Sequence, residues 1–200
     1  MFNLLRASTS VRTTVAAAAA AVVLSAALVS QTTSAAFSDD TDNGVNTWNA
    51  GAVALTDDDS NTAMFNVSNM KPGDTAERCI RVTNSSTVAN RVAFYASDLA
   101  QTNNLLNTMT FVIDEGTGGG TFGSCSGFVA AAQSFNGAGT GLASHTTYET
   151  AFSAWTHNGG APADRVYRIR YTLPSSADNS VANGTASLRF VWESRSGNFA

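Results

Sequence analysis

The sequence has few of the residues and none of the motifs that carry most enzyme chemistry. It contains two histidines, two cysteines and one lysine, Lys71. No HExxH, GxSxG or CxxC motif occurs in it, which excludes a zincin helix, a serine-hydrolase elbow and zinc held by paired cysteines. We interpret His145 and His157 as solvated loop histidines, and we expect no catalytic residues and no enzyme.

The N-terminus has the pattern of a secretory signal peptide. Arg6 and Arg12 are the only charges before an apolar run at residues 15–29, built of Ala, Val and Leu with one Ser. A run of about fifteen residues is short for a membrane span, which needs roughly 20. Small residues at Thr33 and Ala35 place cleavage between Ala35 and Ala36. We therefore expect secretion to the extracellular matrix or cell surface; an uncleaved N-terminal anchor is the alternative.

Removal of the signal peptide leaves an acidic chain. It retains nine basic and all fifteen acidic residues, a net charge of −6. Nucleic acids and anionic lipids select basic surfaces, so we expect neither as a partner. The C-terminus has no hydrophobic tail, and we expect no stable membrane anchor after cleavage. The remaining length suits one domain at residues 51–200, preceded by a separate segment at residues 36–50.

The two cysteines predict a disulfide. Cys79 and Cys125 belong to a chain bound for an oxidising compartment, where pairing is the usual state and a free pair is the alternative. Closing a loop of this span is worth roughly 4 kcal/mol in the chain-entropy model. Alternation places Cys79 on the outward face of its strand with Glu77 and Arg81, so the disulfide should cover a sheet surface and not cross the core.

Apolar residues recur with a period of two, which predicts an all-β protein, a jelly-roll-like antiparallel β-sandwich. The clearest strands are residues 164–173, with Arg168 and Arg170 outward, and residues 187–193. Inward positions in these two strands are Tyr167, Ile169, Tyr171, Leu173, Leu188, Phe190 and Trp192. Weaker predicted strands are residues 53–55, 63–67, 77–83, 88–95, 109–113 and 128–131.

Two stretches lack this pattern. Residues 116–144 hold most of the glycines, and we expect long Gly-rich surface loops there. Residues 146–155 place Tyr148, Phe152 and Trp155 at helical spacing. A short helix and an irregular loop with buried aromatics both fit the second stretch.

Two clusters of aspartates suggest a cation site. Asp57, Asp58 and Asp59 follow a predicted strand, and Asp39, Asp40 and Asp42 follow the cleavage site. Crowded carboxylates are ligands that Ca²⁺ accepts, although the spacing departs from the EF-hand pattern. An acidic turn that binds no cofactor is the alternative interpretation.

Several short patterns occur together in the first half of the chain. The sequence Ala-Phe-Ser-Asp lies at the cleavage site, and Trp48, Gly51 and Leu55 belong to an aromatic, small-Gly, apolar pattern after it. Pro72-Gly73-Asp74 then leads into a strand and a turn that contains Asn84. In these features, strongest over residues 15–95, the chain resembles the TasA and camelysin family of bacterial matrix-fibre subunits, which a SipW-type signal peptidase matures.

The resemblance implies a biofilm fibre built by donor-strand complementation. The N-terminal segment, through Phe37, Ser38, Asp39, Val45 and Trp48, would pair with an open sheet of another subunit, identical or homologous. Its polar sequence, with a glycine in the middle, favours fibres of folded subunits over cross-β stacking. Two alternatives are a monomeric surface sandwich that binds carbohydrate or protein through the Gly-rich loops, and a camelysin-like metalloendopeptidase.

Overall fold

The computed structural model of the chain describes residues 50–197. The predicted signal peptide, the cleavage site at Ala35 and Ala36, and the donor residues from Phe37 to Trp48 lie outside the described residues. No helix in the described part is long and apolar enough to cross a membrane.

Strands dominate the described chain. They are β1 (Leu55–Asp57), β2 (Thr75–Asn84), β3 (Asn90–Gln101), β4 (Thr110–Gly118), β5 (Phe128–Ala138), β6 (Ser153–His157), β7 (Ala163–Thr172) and β8 (Ala186–Ser196). A four-residue helix α1 (Leu105–Thr108) precedes β4, and short 3-10 helices occupy Gly139–Ser144 and Asn179–Val181.

The strands form two antiparallel sheets, which confirms the predicted all-β sandwich. The larger sheet has the order β1-β2-β7-β4-β5, and the smaller sheet has the order β6-β3-β8. The chain crosses from one sheet to the other between β2 and β3 and between β3 and β4. It crosses again at each step from β5 through β6 and β7 to β8. Residues far apart in the sequence therefore become neighbours, and the core lies between the two inner faces.

The period-two pattern of β7 places its side chains as predicted. Tyr167, Ile169, Tyr171 and Leu173 are buried, while Arg168 and Arg170 lie on the outer face. Phe94 of β3 is fully buried and packs against Tyr167 with ring centroids 4.9 Å apart. The two sheets thus meet through aromatic side chains that alternation directs inward.

Two sequence predictions are wrong in detail. Residues 63–67 are irregular and not a strand, although Phe65 packs edge-on against Tyr171 at 5.1 Å. Residues 116–144 are largely a hairpin, since β4 extends to Gly118 and β5 occupies Phe128–Ala138. Gly116 is required there because a Cβ atom would collide with the Val129 carbonyl.

Residues 146–155 form no helix. The chain is irregular up to Phe152, with Tyr148 and Phe152 buried, and β6 begins at Ser153. The Tyr148 hydroxyl donates a 2.9 Å hydrogen bond to the Arg91 carbonyl. Of the two alternatives that the sequence leaves open, the irregular segment with buried aromatics is the one found: Phe152 packs against Phe94 and Phe135, and Trp155 belongs to β6.

Candidate functional site

A groove of about 310 Å³ runs along one side of the sandwich, between β1 of the large sheet and β8 of the small sheet. We call it the β1–β8 groove. It is lined by Leu55, Thr56, Asp57, Val82, Arg189, Phe190, Val191 and Trp192. Both lining strands lie at the edge of their sheets, so the groove is the place where the sandwich is open on this side.

The floor of the groove is apolar. Val82 is 1% exposed, and Leu55, Phe190 and Trp192 are half-buried against the core. The Trp192 ring stacks on Phe94 with centroids 4.5 Å apart and an interplanar angle of 3°. The floor therefore offers hydrophobic surface that is continuous with the core.

The β8 strand presents unpaired backbone to this groove. In β3, the Phe94 carbonyl accepts a hydrogen bond from the Phe152 amide, and the Ala96 amide donates to the His145 carbonyl. The backbone groups of Phe94 and Ala96 therefore point towards the β6 side of β3 and away from β8. Alternate residues of an antiparallel strand bond to opposite neighbours, which leaves Tyr95 to pair with Val191 of β8. By the same alternation, the N–H and C=O groups of Phe190 and Trp192 point away from β3 into the groove.

Among the described strands, β8 is the long and regular edge. It has eleven residues, and the register irregularity of its ladder arises from extra residues in β3. β1 and β6 have three and five residues. β5 also has eleven, but two register shifts in its pairing with β4 distort it. Short or bulged edges resist strand addition, so β8 is the edge best suited to receive a strand.

Two charged side chains flank the groove. Asp57 lies opposite Val82 and so shares the inner face with Leu55. Partial burial, and secondarily the neighbouring Asp59, raise the pKa of the Asp57 carboxyl above its ordinary value. Arg189 is largely exposed, and its Nε lies 3.4 Å from Asp98. An incoming strand would thus meet one charge of each sign.

The chain enters the domain beside this groove. Two hydrogen bonds join Ala52 to Thr87. The Ala52 amide donates to Thr87 Oγ1 at 2.9 Å, and the Thr87 amide donates to the Ala52 carbonyl at 2.9 Å. The Ser85 amide donates to the Ala54 carbonyl in the same antiparallel register. Residues 52–54 therefore extend the pairing of β1, and the segment that precedes residue 50 joins the domain at a wall of the groove.

A buried polar network fixes this wall. The Asn84 side-chain amide donates to Asn90 Oδ1 at 2.7 Å, and both residues are fully buried. Asn84 Oδ1 accepts from the Ser86 amide at 3.0 Å, and Ser86 Oγ accepts from the Ala54 amide at 2.9 Å. Sequence reasoning identifies Asn84 only as part of a turn, because the spacing of Asn84 and Asn90 gives no sign that they meet.

The predicted disulfide between Cys79 and Cys125 is present, with the two Cα atoms 5.1 Å apart. Cys79 lies on the outer face of β2, as alternation predicts, and is buried beneath the connection between β4 and β5. The disulfide therefore covers the surface of the large sheet and lies apart from the core.

The three aspartates at residues 57–59 do not form a ligand set. Asp58 uses Oδ1 to accept from the Arg81 amide and Oδ2 to accept from the Phe122 amide, at 2.9 and 2.8 Å. Asp59 Oδ1 accepts from the Asn61 amide. Within residues 50–197, no group of three or more His, Cys, Asp or Glu is placed to hold a metal ion. The carboxylates are hydrogen-bond acceptors for the turn and for the loop beside it.

Neither histidine matches the prediction of a solvated loop residue. His157 ends β6, is 6% exposed and has Nε2 3.2 Å from the Ser86 carbonyl. His145 is half-buried beside Phe135 and Phe152, with Nδ1 2.7 Å from the Thr150 carbonyl. Both imidazoles bond to backbone carbonyls, which suits a packing role.

The N-terminal half of the chain matches a known family model. The family model described as camelysin metallo-endopeptidase matches residues 10–108. This chain belongs to the camelysin family. No individually curated protein matches the chain.

The family match includes β1, β2, β3 and the Asn84–Asn90 network. Cys125 and β8 lie beyond the matched residues. The family description names a metallo-endopeptidase. The described residues include no group of three His, Cys, Asp or Glu side chains that fits the metal ion of such an enzyme.

Proposed function

We propose that this camelysin-family protein is a secreted structural subunit of an extracellular matrix or biofilm fibre. Each subunit donates its N-terminal segment, residues 36–50, to the β1–β8 groove of the next. The observation that carries this proposal is the eleven-residue, regular edge of β8 above an apolar groove floor.

The chemistry of the two partners is complementary. The exposed backbone of β8 supplies donors and acceptors for a new ladder, while Phe190 and Trp192 supply apolar contact for alternate side chains. In the donor segment, Phe37 and Val45 share one face of an extended strand. They lie about 26 Å apart at 3.3 Å per residue, which fits within the length of β8.

A contact of this kind propagates. The donor segment leaves its own domain at β1 and enters the groove of another copy, so donor and acceptor surfaces differ and the contact is head-to-tail. Such contacts extend into filaments unless rotation closes a ring. Cleavage after Ala35 by a SipW-type signal peptidase would free the donor segment from the membrane and permit the first contact.

We propose no catalytic role for the protein. Asp58, His145 and His157 bond to backbone groups, and Asp114 and Glu77 pair with Arg168 and Arg170. The alternative of a monomeric surface protein that binds through Gly-rich loops has weaker support, because residues 116–144 are largely a hairpin.

The test is polymerisation of the purified mature chain, residues 36–200, measured by electron microscopy and sedimentation. We expect filaments from the mature chain and a soluble monomer after deletion of residues 36–46. A matched point variant carries Phe37→Asp and Val45→Asp, and its control carries Ser38→Asp, which changes the opposite face. Unchanged filaments from the deletion, or no filaments from the mature chain at high concentration, would contradict the proposal.

A further inference from the structure

The connection between β4 and β5 reaches across the outer face of the large sheet to the edge of β2. We call residues 119–127 the disulfide loop. Besides the bond from Cys125 to Cys79, the Gly123 amide donates to the Cys79 carbonyl at 2.9 Å. At Gly120, where φ is +107°, an added Cβ would lie 3.0 Å from Val166 and 3.5 Å from Cys79 Cβ. The loop therefore lies directly on the sheet.

Asp58 joins this loop to β2 through one carboxylate. Its Oδ1 accepts from the Arg81 amide at 2.9 Å, and its Oδ2 accepts from the Phe122 amide at 2.8 Å. Asp58 follows the last residue of β1. The side chain thus occupies the place where a longer β1 would have bonded to Arg81.

Arg81 completes the attachment. Its Nη2 donates to the Gly118 and Gly120 carbonyls at 3.0 and 2.9 Å, and its Nη1 lies 3.2 Å from Asp164 Oδ2. Charge-assisted hydrogen bonds of this kind are about twice as strong as neutral ones. Both ends of the loop are therefore fixed, one by the disulfide and one by Arg81.

These contacts fall on the edge of β2 that faces away from β7. The Leu173 amide donates to the Asp74 carbonyl, so even-numbered residues of β2 bond to β7 and odd-numbered residues face the edge. β1 pairs only with Val82, Thr83 and Asn84. The disulfide loop and Asp58 cover the edge of β2 at Cys79 and Arg81. Without them, the end of β2 next to β1 would form a second exposed edge on the same side of the sandwich as the groove.

We propose that the disulfide loop is an edge guard that closes β2 to strand addition and so leaves β8 as the acceptor for the donor segment. The direction of assembly to β8 rests on the proposed fibre function, whereas the closure of β2 does not. A thiol reductant removes the guard by thiol–disulfide exchange: Cys79 and Cys125 each gain a proton as thiols, and two reductant thiols are oxidised to one disulfide.

Hydrogen–deuterium exchange of the mature chain, at a concentration where sedimentation shows only monomer, tests the guard without any assembly. In the Cys79→Ala, Cys125→Ala variant, we expect the rate of exchange at the edge-facing amide of Arg81 to rise by a factor at least ten times larger than at the amides of Ile80 and Val82, which bond to β7 and lose protection only through the lower global stability. Unchanged protection of Arg81 overturns the proposal. Equal loss at Ile80, Val82 and Arg81 also overturns it, because it would show general unfolding.

Asp58→Ala provides a second variant that leaves the disulfide intact. It should speed amide exchange at Arg81 and Phe122. Asp59→Ala is the matched control, because the Asp59 side chain accepts a hydrogen bond from the Asn61 amide and from neither Arg81 nor Phe122. Identical behaviour of the two variants contradicts the role given to Asp58.

The consequence for assembly is measured in the mature chain that carries Phe37→Asp and Val45→Asp, which lacks the apolar anchors of the donor. We expect this chain to remain monomeric in sedimentation when oxidised, and to associate when the cysteines are also replaced by alanine. A folded, cysteine-free chain that stays monomeric would overturn the guard. If instead the oxidised mature chain forms no filaments but the exchange result holds, the fibre proposal fails and the guard stands.

Discussion

The two strand edges on the groove side of the sandwich differ in protection: the edge of β8 is open, and the edge of β2 is covered. β8 keeps an unpaired ladder above apolar side chains, while β2 has its edge occupied by the short β1, one carboxylate and a covalently closed loop. Natural proteins protect exposed edges because these edges pair with other chains. A bare edge next to a heavily protected one is the arrangement that the proposed strand addition at β8 requires.

Loss of the disulfide should have the largest effect, and its local effect should be on the β2 side. Replacement of Cys79 and Cys125 by alanine is expected to lower the free energy of unfolding by about 4 kcal/mol in the chain-entropy model. Chemical denaturation with and without reductant measures it. Equal stability of the oxidised and reduced chains would show that the loop is held by its hydrogen bonds.

Trp192→Ala should have the next largest effect and should act on the β8 side. The ring is half-buried and stacks on Phe94, so we expect a loss of about 3 kcal/mol, at the lower end for aromatic truncation, together with loss of filaments. Trp48→Ala in the donor segment is a useful contrast, because it leaves the groove intact. Exchange at Arg81 should not change in either variant; a change there would mean that the two edges are coupled.

Asn90→Ala should loosen the wall that the two edges share. It removes the acceptor of the Asn84 amide and of the Ser194 hydroxyl, and leaves buried polar groups without partners. We expect a loss of about 2 kcal/mol, measured by thermal unfolding. Thr87→Val removes a more exposed hydroxyl from the same wall and should lower the free energy of unfolding by less than Asn90→Ala does.

Asp57→Asn should have the smallest effect, a small increase in the free energy of unfolding. The folded state raises the pKa of Asp57 above its ordinary value of 3.8, so the protonated form favours folding. This contribution therefore increases as pH falls through the raised pKa. We expect a gain of no more than about 0.5 kcal/mol for the partly exposed group. The difference in unfolding midpoint between the unsubstituted chain and the Asp57→Asn variant should shrink as the pH is lowered from neutral towards the raised pKa.

The strands of the core can be predicted from sequence because their side chains alternate. Tyr167, Ile169 and Tyr171 show the period-two pattern directly, and all three are buried. Most of β5 escapes prediction because it is rich in alanine and glycine, which have low β propensity and no alternation to detect. The sequence leaves two alternatives open near Tyr148, because spacing alone cannot distinguish a helix from the irregular segment with buried aromatics that the structure has.

The groove cannot be predicted from sequence, although most of its parts can. Leu55, Phe190 and Trp192 each fall in a predicted strand, but only the order of strands in the two sheets brings β1 and β8 to the same side. The disulfide is predictable from the expected compartment. Its position over the edge of β2 is not, because this depends on Asp58 and Arg81, whose contacts join residues far apart in the chain.

The way in which β1 is attached has a mechanical consequence. In a filament of the proposed kind, tension enters each domain through the segment before residue 50 and continues along β1. Residues 52–57 bond side by side to residues 82–87, so a pull along the strand loads these hydrogen bonds together in shear. Asp58 then passes the load to a loop closed by a covalent bond. The domain is therefore built to resist stretching at the end where the filament would pull.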